Sequence, residues 1–201
     1  MEPVDLPVVG SAPPERADAA RNRRRILAAA ERLFAERGVG SVTMGEVAAE
    51  AGVGKATVFR RFGDKATLLD ELLGERERVL QEAILRGPPP LGPGAPPRER
   101  LHAFVSALAE FCEHHRHVLL ASETSRPGAR YMTGSYVAWQ QHVALLLGEL
   151  RPDLDAQVFA DLLLAPFAGE LVAHLRDGRG LPFDRVEAAL ATLAQSVVAG
   201  A

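Results

Sequence analysis

Apolar positions recur at three- and four-residue spacing along most of the chain, and clusters of Pro and Gly interrupt them, so the pattern predicts helices throughout. Ile26, Leu27, Ala30, Leu33 and Phe34 form one stripe in a helix expected over Asp18–Arg37. Leu68, Leu69, Leu72, Leu73, Val79, Leu80 and Ile84 give a helix over 65–86 two apolar aspects, which suits a connector touching two domains. GPPPLGPGAPP, residues 87–97, cannot be helical and divides the chain. Beyond it Leu101, Phe104, Val105, Leu108, Phe111 and Cys112 stripe one helix. Tyr136, Trp139, Gln140, Val143, Leu146, Leu147 and Leu150 stripe another, with Arg126, Pro127 and Gly128 between the two. Two more helices are expected over 155–176 and 184–198, the second capped by Asp184. Pro166 should kink or open the first and free a carbonyl. Val158, Phe159, Leu162, Leu163, Phe167, Leu171 and Leu175 nearly surround that helix, more apolar surface than one small core needs, and the excess reads as a homodimer surface. Residues 1–16 carry Pro and Gly without periodicity and read as a disordered tail.

The segment with most chemical content is TMGEVAAEAGVGKATVFRRFGDK, Thr43 to Lys65. Thr43 with Glu46 three residues on is a capping-box signature, so a helix should start there and run to Ala51. Gly52 supplies the left-handed residue that ends it. A second helix over about 55–62 should turn Val58 and Phe62 inward and leave Lys55, Ala56, Thr57, Phe59, Arg60 and Arg61 on the other faces. Two helices across a tight glycine turn form the geometry in which the second enters the DNA major groove. A plain helical corner has the same spacing, and charge separates the two readings. Residues 16–65 hold eleven Lys and Arg against six acids, whereas residues 66–201 hold twelve against seventeen, so a formal charge of −3 hides a dipolar chain. A basic module is what attraction to phosphates requires.

Arg24, Ile26, Leu27 and Ala30, leading to Leu33, Phe34 and Gly38 and then to Thr43–Lys65 and Leu68, resemble the N-terminal domain of the TetR family of bacterial transcriptional regulators. The resemblance covers about the first 70 residues; beyond residue 75 only size and helical layout are similar. It implies an all-α fold with an N-terminal three-helix helix-turn-helix DNA-binding domain (17–64), a connecting helix (65–86) and a C-terminal helical ligand-binding and dimerisation domain (98–201). It implies Thr43 and Lys65 as phosphate anchors, and places Lys55, Ala56 and Thr57 where the recognition helix reaches bases. Phe59 departs from the family's usual Tyr and loses a hydroxyl, for which Arg60 or Arg61 can substitute; Gly54 replaces a common Ser cap. Arg21, Arg23, Arg24 and Arg25 read either as a solvated face or as contacts to the DNA backbone or minor groove.

The same resemblance implies a four-helix dimer interface from the last two helices of each subunit, a palindromic operator in double-stranded DNA, and a small-molecule effector of unknown identity. Phe104, Phe111, Trp139, Phe167, Glu170 and His174 are candidates for the effector pocket, although the aromatics read equally as plain core, and Glu170 with His174 as a satisfied polar pair or solvated edge. At 201 residues and 47% hydrophobic the chain can bury a core in one or two domains. A single cysteine, Cys112, suits a reducing compartment and a core role. No apolar run approaches the roughly 18 residues of a membrane span, and no signal peptide opens the chain, so a cytoplasmic protein is expected. His114, His115 and His117 suggest a metal only weakly, as no Cys or Glu completes a ligand set. No cofactor or enzyme activity is expected; the alternatives are an architectural DNA-binding protein without a ligand, and a helical metalloenzyme.

Overall fold

The computed structural model describes residues 14–199, and over them it is helical with no strand. The all-α expectation therefore holds. Residues 1–13 of the expected tail lie outside the described residues, whereas residues 14–16 are already helical. The chain divides into two compact units, Met1–Lys65 and Ala66–Ala201.

The first unit contains α1 (Pro14–Arg37), α2 (Met44–Glu50) and α3 (Lys55–Phe62). α1 starts four residues before the expected Asp18. Its stripe of Ile26, Leu27, Ala30, Leu33 and Phe34 is buried, together with Met44, Val47 and Ala48 of α2 and Val58 and Phe62 of α3. Each large apolar side chain buried here contributes about 1.5–3 kcal/mol, so this small core is what holds two helices of seven and eight residues that are too short to persist alone.

The second unit carries α4 (Lys65–Arg86) from its second residue, then α5 (Pro97–Glu123), α6 (Gly134–Leu150), α7 (Ala156–Leu164), α8 (Gly169–Ala173) and α9 (Phe183–Ala199). Residues 87–96 are turns, and Pro97 opens α5 in the first turn of a helix, where its missing N–H costs nothing. α5 packs against α6, α8 and α9, and α6 against α7. Thr133 caps α6 through the Tyr136 N–H, and Asp155 caps α7 through the N–H groups of Gln157 and Val158. Asp184 is not the cap of α9: the helix begins one residue earlier, and the Asp184 carboxylate accepts from the Arg185 N–H within the first turn.

The single helix expected over 155–176 is instead broken into pieces. α7 gives way to a 3-10 turn at Ala165–Phe167, Ala168 is extended, α8 runs for five residues, and a π turn follows over His174–Gly178. Pro166 is the local cause, since it cannot donate to the helical ladder. The carbonyls released are taken by Arg130, which donates to Leu164 O at 2.9 Å and Phe167 O at 3.1 Å and pairs with Glu123. The second Glu123 oxygen accepts the Gly169 N–H at 2.7 Å, restarting the helix. A Cβ on Gly169 would lie 2.9 Å from the Leu120 backbone nitrogen, so only glycine lets α8 come this close to α5.

By hydropathy the stretch Ala156–Gly178 does reach spanning length, contrary to the expectation that no apolar run comes near it: its most apolar 18-residue window has mean hydropathy 1.6, and a third of that window is buried. Its helical ladder is interrupted at Ala168, however, and Asp161 within it accepts a 2.6 Å hydrogen bond from the Tyr136 hydroxyl.

Candidate nucleic-acid interface

The reading head is assembled locally. At the start of α2 the Thr43 oxygen accepts the Glu46 N–H at 3.2 Å, while the Glu46 carboxylate accepts the Thr43 N–H and its hydroxyl, both at 2.8 Å. Arg37 donates to the same carboxylate at 2.6 Å. Together these hold Glu46 at a pKa of about 2, the Arg37 hydrogen bond contributing most, followed by the Thr43 hydroxyl and N–H. α2 ends in a Schellman turn: the Val53 N–H bonds to Ala48 O, the Gly52 N–H to Ala49 O, and Gly52 sits at φ +63°. Gly54 then starts α3 without a side-chain cap.

The turn leaves Val58 and Phe62 buried and Lys55, Ala56, Phe59, Arg60 and Arg61 exposed, with Thr57 half-buried. The Lys55 ammonium lies 5.7 Å from the centre of the Phe59 ring, and the Lys55 stem passes 3.8 Å from where a Gly45 Cβ would be. The N-terminal turns of α2 and α3 are thus brought side by side, and α3 contains no acid to offset Lys55, Arg60 and Arg61. No ion pair among the described residues occupies these three. The two expected phosphate anchors are more committed: the Thr43 hydroxyl donates its hydrogen bond to Glu46, and the half-buried Lys65 donates to Val42 O at 2.8 Å, leaving its other N–H bonds. On α1 the Arg25 guanidinium lies close against Gly52, and Arg32 pairs with Glu50 at 2.8 Å. The surface presents positive charge on a rigid short helix with small side chains at its start, which suits phosphate neutralisation and close approach to base edges. The Arg37–Glu46 pair, missed from sequence, needs residues nine apart on different helices to meet, and no periodicity signals that.

In the second unit the candidate pocket aromatics lie in the core. Phe104, Phe111, Trp139 and Phe167 are all buried, and Phe111 meets Trp139 edge-on at 5.7 Å. Phe104 meets His142 edge-on at 5.2 Å. Glu170 and His174 are both exposed, because the restart at Gly169 turns Gly169 and Val172 inward. Cys112 is buried, and desolvation pushes its thiol up to about 12, so it is held as a neutral thiol. The histidines of α5 are dispersed: His114 bonds to Glu110 O at 2.7 Å and His115 packs on Phe111. Among the described residues no group of three or more His, Cys, Asp or Glu is arranged to hold a metal.

Residues 26–72 match the family described as bacterial regulatory proteins, tetR family. The chain is 30% identical over 159 residues to the HTH-type transcriptional repressor BepR of Brucella suis, an alignment covering 79% of this chain and 73% of that protein. Among solved structures, a putative transcriptional regulator from Saccharomonospora viridis in complex with choline is 28% identical, with a TM-score of 0.62 and coverage of 85% of this chain and 94% of that one. The TetR-family repressor FadR of Thermus thermophilus, solved with lauroyl-CoA, shares the fold at 23% identity and a TM-score of 0.63, covering 86% and 92%. A relative aligned along nearly three quarters of its length carries the likeness well past the reading head, and the chain belongs to the TetR family of DNA-binding transcriptional regulators.

Proposed function

We propose that this regulator is a repressor that binds a palindromic operator as a homodimer and releases it when a small molecule occupies the second unit. The observation that carries the DNA contact is the exposed, acid-free α3, with Lys55 beside the capped start of α2 and Arg60 and Arg61 in its last turn. Lys55, Ala56 and Thr57 read base edges and adjoining phosphates. Arg60, Arg61 and the remaining N–H bonds of Lys65 hold the backbone, with Thr43 at the helix start and Phe59 packing against the sugar-phosphate edge. Phe59 brings no hydroxyl, so the arginines take a larger part of the anchoring. Repression is supported by the likeness to BepR, and a small-molecule effector by the choline and lauroyl-CoA in the two solved relatives. Dimerisation is supported by Val158, Leu162, Leu171 and Leu193, large apolar side chains on α7, α8 and α9 that are each at least 40% exposed. A cytoplasmic location follows from acting on DNA in a bacterial cell.

Selection of bound fragments from genomic DNA tests this reading and yields the operator. Binding to it should weaken steeply with salt, and replacing Arg60 and Arg61 together by alanine should flatten the log–log salt slope by roughly two per half-site, about four for the dimer on its operator. Lys55→Ala should also relax sequence preference, by about 1–3 kcal/mol of discrimination at one base pair. Enrichment of no sequence, or binding indifferent to salt, removes the proposal.

A further inference from the structure

α4, the end of α5 and the start of α6 border a groove of about 430 Å³ within the second unit, lined by Asp70, Leu73, Glu77, Ser122, Thr133 and Ser135 among others. Four of these, Leu73, Glu77, Ser122 and Thr133, also line a cavity of about 20 Å³ that Trp139 borders. The groove is of the size that small ligands take, and the cavity has room for about one water-sized group.

The charges around this space are unequally committed. Arg130, which also borders the small cavity, is held through its terminal nitrogens by Glu123 and by the Leu164 and Phe167 carbonyls while its Nε is buried without a partner, and Arg78 and Arg126 are exposed at the mouth. Asp70 accepts a 2.6 Å bond from the buried Ser122 hydroxyl. Glu77 is half-buried and in none of the ion pairs among the described residues, and only a serine hydroxyl, that of Ser135, favours its ionised form. Burial foremost, then the charges of Asp70 and Glu123, push its carboxyl above the usual range, the signature of a carboxylate that lacks a cation. Independently, the indole N–H of Trp139 is buried without a hydrogen-bond partner, and Trp139 itself is 4% exposed. A buried donor left unmet is costly, so it marks a place where an acceptor belongs.

We propose that this groove is the effector site and takes an organic cation carrying a nearby oxygen, its ammonium against Glu77 and its oxygen in the small cavity accepting from the Trp139 N–H. The inference rests on the reading of a small-molecule-responsive regulator and names the ligand class. Glu77 supplies the charge selectivity, Asp70 extends the negative field toward the mouth, and Trp139 selects for the acceptor.

Trp139 is the single tryptophan of the chain, so its fluorescence reports on this site directly. The probes are choline, its benzyldimethyl analogue, the uncharged isostere 3,3-dimethylbutan-1-ol, and laurate as an anion, titrated into the full-length protein with and without operator DNA. The cations should shift Trp139 emission saturably and bind at least about tenfold more tightly than the isostere. Glu77→Gln should cost them about tenfold, and Asp70→Asn, at the exposed mouth, about threefold, with affinity for the isostere unchanged in both. Equal binding of cation and isostere, unaltered cation binding by both variants, or no binding of either cation overturns the inference. If laurate then releases the operator, the ligand-responsive reading survives its loss. If neither the probes nor a small-molecule extract of the host releases it, that reading falls as well.

Discussion

Glu46 serves three partners at once, and each acts on the same protonation state. Arg37 and the Thr43 hydroxyl and N–H all stabilise the carboxylate, holding its pKa at about 2 against an ordinary 4.5. A folded-state pKa below the unfolded one means the stabilisation is complete above about pH 4.5 and is lost as the pH falls toward 2. Glu46→Gln keeps a side chain that can serve the capping box and removes the charge facing Arg37. Urea midpoints should therefore be lower for the variant at pH 7, and the gap should close between pH 4.5 and 2; a gap independent of pH would mean that the Arg37 pair contributes nothing. The capping box was readable because Thr43 and Glu46 are three residues apart and the rule linking them is local. The same locality exposed Gly52, Val58 and Phe62. Which cations stay uncommitted was not readable: Lys65 finds the Val42 carbonyl 23 residues back, and only folding brings those two together.

The helical stripes of α1, α5 and α6 follow from periodicity because a helix that buries one face must repeat its apolar residues, and no other element competes for that signal. The region from 155 to 178 is different. Apolar on all sides, it carries no phase for a break to disturb, so the sequence shows Pro166 but not how far the disruption extends. What stabilises the disruption is remote, since Arg130 sits 34 residues before the Leu164 carbonyl it caps, in a stretch that reads as an interruption between helices. Arg130 and Glu123 are about nine-tenths buried, and an ion pair so enclosed is expensive to break from one side. Arg130→Met should strand the Glu123 carboxylate and two carbonyls, costing about 3–5 kcal/mol in urea unfolding. Replacing both partners, Arg130→Met with Glu123→Gln, should recover part of that loss. If the double variant is as unstable as the sum of the two single ones, the pair is not the unit that holds the break.

A monomer of this chain leaves apolar surface that its own core does not use. Val158 and Leu162 lie one turn apart on α7, 51% and 59% exposed, with Leu171 on α8 and Leu193 on α9 at about 40%. Scattered apolar residues on a protein surface need no explanation, but several large ones on the last three helices are what the proposed homodimer would bury across its two-fold axis. The consequence reaches the DNA. In the proposed dimer each α3 would contact one half-site, and joining the two would make the second contact intramolecular, multiplying affinity by a factor of about 100 or more. Leu162→Glu places a charge in that patch while leaving the reading head untouched. It should shift the protein from dimer to monomer in sedimentation velocity, and weaken operator binding by about that factor while affinity for an isolated half-site stays the same. A wild-type monomer that already binds the full operator tightly, or a Leu162→Glu variant that sediments as the wild type does, would separate the exposed patch from assembly altogether.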